Sequence, residues 1–346
     1  MTSPSSVHAS SNYSRRMRAV VVRAPGGFDA LEVAEVPDPV PGPCEVVVEI
    51  AAAGVNRADL LQRAGHYPPP PGAPAWPGLE VSGVVVGLGP GVALPDGGGW
   101  RVGQEVAALL AGGGYAERVA VPAGQLMPVP ASVALVDAAA LPEAACTAWT
   151  NLVDTGGLRA GQTVLVQGGS GGVGSVAVQI AAALGARVIT TAGSAERALR
   201  CVQLGADLAI DHRADDVVGA VLAATGGRGV DVVLDVVGAG ALADNLAMLA
   251  TGGRLVVIGL QRGARAEIDL GLLLARRLTV AATTLRSRSA AEKAAIVTAV
   301  RANVWPMLDD GRLRPVVHAR LPLDRAGDAH RMLESGTVFG KILLMP

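Results

Sequence analysis

The feature that most constrains the fold is a glycine-rich segment between an apolar run and a helix-forming stretch. It reads Gly169-Ser170-Gly171-Gly172-Val173-Gly174 and follows Val164-Leu165-Val166. Glycines here allow a tight turn and let backbone N–H groups approach a pyrophosphate, while the helix N-terminus adds partial positive charge. The motif alone is weak in a chain with 45 glycines. Its strand–loop–helix context predicts a dinucleotide-binding loop, with a ligand-free turn as the alternative.

The segments around this loop repeat the alternation of short apolar runs and Ala/Leu-rich stretches. We expect strands at 163–167, 187–191, 208–210, 230–236, 254–258 and 278–284. We expect helices at 142–153, 173–184, 195–204, 215–224, 239–249, 290–308 and 325–335. Such alternation predicts parallel strands joined by crossover helices, hence an α/β doubly wound sheet.

The first part of the chain has a different texture, with short apolar runs separated by Pro/Gly turns. Runs at 18–23, 45–52, 81–88 and 105–110 predict a mainly β domain with a barrel-like core. The texture changes near Leu141. We expect the Ser-rich residues 1–16 to be a disordered extension; a targeting segment or an upstream start are the alternatives.

Charge and cysteine usage exclude several classes of function. Charged residues make up 17% of the chain and the formal net charge is −1, so no clustered positive field is available for nucleic acid or an acidic membrane surface. The uncharged stretch 160–186 contains Gln, Ser and a run of glycines, which argues against a membrane span. Three scattered cysteines suggest neither a disulfide framework nor a metal site, so we expect a reduced, cytoplasmic location.

Cofactor choice depends on the end of the second strand of the doubly wound sheet. An NAD site usually places an acidic residue there to bind the ribose hydroxyls. This chain has Gly193, Ser194 and Arg197 instead. A hydroxyl and a guanidinium suit a 2′-phosphate, which predicts NADPH. The alternative is a solvated Arg on a surface helix.

Three further segments, 54–63, 65–72 and 285–288, resemble zinc-free quinone oxidoreductases of the medium-chain dehydrogenase/reductase superfamily. The resemblance covers nearly the whole chain from Met17 onward. Within this superfamily, the chain is similar to the tumour-suppressor-inducible quinone oxidoreductases and to zeta-crystallin relatives. It implies a GroES-like β-rich catalytic domain plus a doubly wound Rossmann domain. The expected boundaries are 17–140, completed by 286–346, for the catalytic domain and 141–285 for the Rossmann domain. A homodimer formed through the edge strand 278–284 is also implied.

The same comparison predicts that no metal is bound. Zinc-dependent members carry a Cys where this chain has Asn56, and a His where it has Leu79. Glu80 remains, but a catalytic zinc site needs about three protein ligands, and the histidines and cysteines show no suitable spacing.

The resemblance also assigns the site. Asn56 and Tyr67 are the catalytic candidates, lining the cleft between nicotinamide and substrate. The residues expected at the cofactor are Asn56, Thr147, Gly169, Ser170, Gly171, Gly172, Val173, Gly174, Gly193, Ser194, Arg197, His212, Val236, Val237, Gly238, Ile258, Gly259, Gln261, Leu285 and Lys341. Structural alternatives stay open for several: a loop staple for Tyr67, helix packing for Thr147, and solvent exposure for His212 and Lys341.

The expected activity is reduction of quinones by hydride from NADPH. Without a Lewis acid the acceptor should itself be electrophilic, and positioning should supply most of the catalysis. The alternatives are reduction of enones or enoyl thioesters, and a cofactor-binding protein with a non-enzymatic role.

Overall fold

The computed structural model describes residues 15–92 and 99–346. The predicted extension therefore lies outside the described residues except for its last two positions, as does the middle of the loop at 90–100. The two described ranges contain fifteen strands: β1 Arg16–Val22, β2 Leu31–Pro37, β3 Glu45–Gly54, β4 Glu80–Leu88, β5 Glu105–Leu109, β6 Arg118–Pro122, β7 Leu126–Pro128, β8 Thr163–Val166, β9 Arg187–Ala192, β10 Leu208–Asp211, β11 Val230–Asp235, β12 Leu249–Val257, β13 Thr279–Ala282, β14 Val317–Pro322 and β15 Lys341–Met345.

Eleven α-helices accompany these strands within the described ranges. They are α1 Arg57–Arg63, α2 Leu135–Ala138, α3 Pro142–Trp149, α4 Gly172–Ala183, α5 Ala195–Val202, α6 Val217–Ala224, α7 Leu242–Met248, α8 Leu270–Arg276, α9 Ala290–Asn303, α10 Trp305–Asp309 and α11 Ala326–Glu334. None of the helices in the described part of the chain combines the length and apolar character needed to cross a membrane.

Six parallel strands form one sheet in the order β10-β9-β8-β11-β12-β13. All four residues of β8 are buried, which fits a central strand covered by helices on both faces. This order confirms the predicted doubly wound sheet. The glycine-rich loop leaves β8 at the point where the strand order reverses, the usual ligand position in such sheets.

The second large sheet has seven strands, in the order β14-β15-β3-β4-β5-β7 with β6 paired to β3. Its pairings are antiparallel except for β14 with β15. This confirms the expected β-rich unit. Leu343 of β15 lies opposite Gly54 of β3, so the tail returns to the sheet begun by the first part of the chain. The boundaries at 140/141 and 285/286 stay predictions.

Several elements differ from the sequence-based expectation. The helix expected at 290–308 is two helices, because Val304 ends α9 and Pro306 lies in the first turn of α10. The strand expected at 254–258 begins five residues earlier, at Leu249. The helix expected at 239–249 starts as a 3₁₀ turn over Gly238–Ala241, and that expected at 142–153 continues past α3 as the π-helix Thr150–Thr155. The helices α1, α2 and α8 were not predicted.

Candidate active site

The glycine-rich loop is built so that side chains would not fit. A Cβ on Gly174 would lie 2.1 Å from the carbonyl oxygen of Gly168, and one on Gly169 would lie 2.1 Å from Oγ1 of Thr190. The helix α4 starts within the glycine-rich loop, with Gly171 as its N-cap and no side-chain cap. First-turn N–H groups of a helix have no intrahelical partner. The chemistry of these residues fits a pyrophosphate, and their contact with the cofactor stays a prediction.

Basic side chains surround Gly193 at the end of β9. An ideal Cβ on Gly193 would lie 3.4 Å from Nε2 of His212, 3.5 Å from Nη2 of Arg197 and 3.5 Å from Nε of Arg213. Arg197 is half-buried and donates to Ser194 and to the carbonyl of Gly336. It is therefore not a solvated arginine on a surface helix. Three nitrogen-bearing side chains within reach of one point suit a phosphate.

Lys341 joins the glycine-rich loop to the β-rich unit. A Cβ on Gly172 would lie 2.4 Å from Cδ of Lys341, so the lysine stem crosses the loop. Its ammonium donates to Oδ1 of Asn56 at 2.6 Å and pairs with the carboxylate of Glu80. Only 3% of Lys341 is exposed, so the alternative of a surface charge is wrong.

Asn56 precedes α1 and lies in a buried polar cluster. Its Nδ2 donates to Oε1 of Glu80 at 2.9 Å, and its backbone N–H donates to Oδ2 of Asp59 at 2.8 Å. Glu80 is fully buried. Gly54 is required beside it, because a Cβ there would lie 2.3 Å from Oε1 of Glu80. The side chain of Asn56 is thus held in one orientation by both of its polar atoms.

Glu143 and Thr147 extend this cluster along one face of α3. The backbone N–H of Glu143 donates to Oε2 of Glu80 at 2.8 Å. One helical turn later, the hydroxyl of Thr147 donates to Oε1 of Glu143 at 3.4 Å. Burial, with repulsion from Glu80, raises the pKa of Glu143 to about 8. Thr147 therefore lies next to the Asn56 cluster, and its predicted contact with the cofactor stays a prediction.

Tyr67 lies apart from the Asn56 cluster. Its hydroxyl is 3.1 Å from Oγ1 of Thr284, and its carbonyl accepts from Arg286 at 3.2 Å. Arg286 also donates to Oε1 of Gln62 on α1. Leu285, between Thr284 and Arg286, is 9% exposed and belongs to the large core under the parallel sheet. Tyr67 thus borders the segment of Leu285, and its predicted catalytic role stays a prediction.

The loops after β11 and β12 meet beside the glycine-rich loop. Cγ2 of Val236 would lie 3.4 Å from a Cβ on Gly168, and the carbonyl oxygen of Val236 would lie 2.8 Å from one on Gly259. The backbone N–H of Gln261 donates to the same carbonyl. The N–H groups of Val237 and Gly238 donate to the buried carboxylate of Asp235. The N–H of Ile258 donates to the backbone carbonyl of Asp235. The two loops therefore form one group beside the glycine-rich loop, and their predicted contact with the cofactor stays a prediction.

Two residues at the site were missed by the sequence reasoning. Arg213 follows His212 and completes the basic group at Gly193, but exposed arginines are common at strand ends. Glu143 follows Pro142 at the start of α3, where an acidic residue is ordinary helix chemistry. In the described ranges, no group of three or more His, Cys, Asp or Glu side chains is placed to hold a metal ion.

Comparison with protein families assigns both units. Residues 42–131 match the model of the alcohol dehydrogenase GroES-like domain. Residues 172–300 match the model described as zinc-binding dehydrogenase. A quinone oxidoreductase from Rattus norvegicus is 31% identical over 332 residues, which covers 95% of this chain and 98% of that protein. The chain belongs to the quinone-oxidoreductase family of the medium-chain dehydrogenase/reductase superfamily.

Two further relatives bear on the chemistry of this family member. The crystal structure of Escherichia coli quinone oxidoreductase complexed with NADPH is 30% identical, with a TM-score of 0.83, and the match covers 96% of this chain and 99% of that one. A phenolphthiocerol/phthiocerol polyketide synthase of Mycobacterium tuberculosis is 34% identical over 336 residues. That match covers 97% of this chain but 15% of the synthase.

Proposed function

We propose that this chain binds NADPH and reduces quinones by direct hydride transfer, without a metal. The observation that carries the proposal is Lys341, whose stem lies against Gly172 while its ammonium contacts Asn56. One side chain thereby connects the phosphate-binding loop to a buried polar cluster. Such a connection is what a reductase needs to fix its cofactor beside the reacting group.

The cofactor fits the chain in two places. The loop from Gly168 to Gly174 has glycine at positions where a Cβ would clash, and it leads into the start of α4. Arg197, His212 and Arg213 surround the end of β9, where a 2′-phosphate would require positive charge. The related Escherichia coli structure was solved with NADPH. These features support NADPH rather than NADH.

Bound NADPH would supply the hydride, and the protein would supply orientation. Asn56 is fixed by Glu80 and Lys341 and offers a rigid polar wall at the nicotinamide end. Thr147 approaches from α3. A quinone delocalises the negative charge that it gains, so a small number of hydrogen-bond donors is enough to stabilise the product oxyanion.

The second candidate is reduction of enones or enoyl thioesters by the same hydride geometry. The similarity to a segment of a polyketide synthase favours keeping it. A panel of quinones, enones and enoyl thioesters, each with NADPH and NADH, tests both candidates. We expect oxidation of NADPH with simple quinones, unchanged by chelators. Faster turnover of an enoyl thioester would favour the second candidate, and tight NADPH binding without turnover of any acceptor would contradict both.

A further inference from the structure

We propose that Glu143 is the general acid of this reductase: its carboxyl group holds a proton and donates it to the acceptor oxygen that becomes negative as hydride arrives. The inference rests on the proposed function and deepens it. It starts from an unusual carboxyl group. Oε2 of Glu143 is buried and has no hydrogen-bond partner among the described residues, while Oε1 accepts from Thr147 at 3.4 Å.

Lys341 pairs with the neighbouring carboxylate of Glu80 and forms no ion pair with Glu143. Oε1 of Glu80 takes a hydrogen bond from Asn56 and pairs with Lys341, and its Oε2 takes the backbone N–H of Glu143. Lys341 therefore balances Glu80. No ion pair to Glu143 is present in the described ranges. A second buried carboxylate beside the first, without its own cation, is strongly disfavoured, and a proton removes the conflict.

Charged and titratable groups of both signs lie around Glu143. They are Glu80 on β4, Lys341 on β15, Asp59 on α1, Cys146 on α3, Arg286 after β13 and Lys293 on α9. Burial is the largest cause of the raised pKa of Glu143, which reaches about 8, and repulsion from Glu80 and Asp59 adds to it. Attraction by Lys341 and the hydrogen bond from Thr147 offset only part of this increase.

The position of Glu143 suits proton transfer. It lies one helical turn before Thr147, a predicted cofactor contact, and its backbone N–H donates to Glu80, which holds Asn56. A neutral acid near Asn56 would donate a hydrogen bond to a developing oxyanion and stabilise it.

The step balances as follows. The acceptor gains a hydride from nicotinamide C4 and is reduced by two electrons, while NADPH is oxidised to NADP⁺. An acceptor oxygen takes the resulting negative charge. The O–H bond of Glu143 breaks, the proton goes to that oxygen, and the bonding pair stays on the carboxylate. Water then returns a proton to Glu143 before the next turnover.

The first test compares the wild type with Glu143→Gln, which keeps the shape but has no acidic proton. Loss of a general acid typically costs 10²- to 10⁴-fold, so we expect kcat to fall about 10²-fold while the dissociation constant for NADPH changes less than about twofold. In the wild type, kcat should be high below the pKa of about 8 and fall above it. The Gln variant should lose this alkaline decline. Glu334→Gln, at the exposed end of α11, is the matched control.

The second test measures the protonation state of Glu143 directly and does not depend on turnover. In protein labelled with ¹³C-glutamate, infrared difference spectra should show a protonated carboxyl at neutral pH that disappears through about pH 8 and is missing in Glu143→Gln. Thr147→Val removes a hydrogen bond that lowers the pKa of Glu143, so the transition should move to higher pH. This second variant keeps the test valid if Glu143→Gln folds poorly.

The outcomes separate the two proposals. A Glu143 that is ionised at neutral pH overturns the general-acid inference, whatever the activity. An active wild type whose kcat and pH profile match those of Glu143→Gln overturns it alone. A wild type that reduces no quinone or enone overturns the proposed function, and the general acid with it.

Discussion

The basic group around Gly193 makes a residue-level prediction about cofactor choice. Arg197→Ala and Arg213→Ala each remove a charged donor from the expected 2′-phosphate position. Hydrogen bonds to charged groups contribute about 1.5–3 kcal/mol, and about 1.4 kcal/mol is tenfold in affinity. We therefore expect KM for NADPH to rise about 10- to 100-fold in each variant, with little change for NADH. Steady-state kinetics with both cofactors measure this.

The control for these variants is Arg159→Ala. Arg159 is exposed and lies in the turn before β8, at the opposite end of that strand from the glycine-rich loop. The KM of the Arg159→Ala variant for NADPH should match that of the wild type. An equal rise of KM for NADPH and NADH in Arg197→Ala would contradict the assignment, because a 2′-phosphate contact cannot affect NADH.

At this scale the sequence predicted residues that belong to local motifs and missed those that converge in space. Ser194 and Arg197 follow the second strand at a recognisable offset, so their position was predictable. Arg213 reaches Gly193 only because β10 pairs with β9 in the register that puts Asp211 beside Ala192. Glu143 stands out only once Glu80 of β4 is placed against the start of α3. No local pattern carries that information.

Among the elements, α1 and α11 are joined by a buried polar network that predicts a pH effect on stability. His330 of α11 is 3.1 Å from the hydroxyl of Tyr115, which donates to Asp59 of α1. Burial, with repulsion from Arg63, lowers the pKa of His330 from 6.5 to about 3. The folded state thus holds His330 neutral. The contribution of neutral His330 to the stability of the folded state is complete above pH 6.5, and it is lost as the pH falls toward 3.

We therefore compare the wild type with His330→Gln by urea unfolding at a series of pH values. Below pH 6.5, the free energy of unfolding of the wild type should fall relative to the variant by up to about 1.4 kcal/mol per pH unit. Asp59, whose pKa burial raises to about 6, acts in the opposite direction, but it is present in both proteins and largely cancels. His66→Gln, at an exposed position, is the control. Parallel stability curves would show that His330 is not held neutral.

Element types were easier to predict than element ends. The strands of the parallel sheet were predicted because buried strands form continuous apolar runs. The break between α9 and α10 depends on Pro306 within an otherwise helical pattern. The helix α8 was missed because Leu270 and Leu274 are 64% and 80% exposed. Sequence-based prediction of a helix relies on apolar residues that recur on one buried face. The apolar residues of α8 do not all point into the core, so this pattern is missing.

For the whole molecule, these exposed leucines lie near a sheet edge and support the predicted homodimer. The strand β13 ends the six-stranded sheet, and Val280 within it is 39% exposed. Unpaired edges and exposed apolar side chains are features that a second copy of the chain would cover. Light scattering should give twice the chain mass for the wild type and the chain mass for a Leu274→Glu/Val280→Lys variant. Leu199→Glu, on the exposed face of α5, should stay dimeric. A monomeric wild type would contradict the prediction.

The contact between Lys341 and Asn56 joins residues that are 285 positions apart, and this has a consequence for synthesis. A growing chain makes Asn56, Glu80 and the glycine-rich loop long before it makes β15. Until β15 is added, the carboxylate of Glu80 has no cation beside it. A buried carboxylate without a partner is costly, so the polar cluster around Asn56 and Glu80 can close only when synthesis is nearly finished.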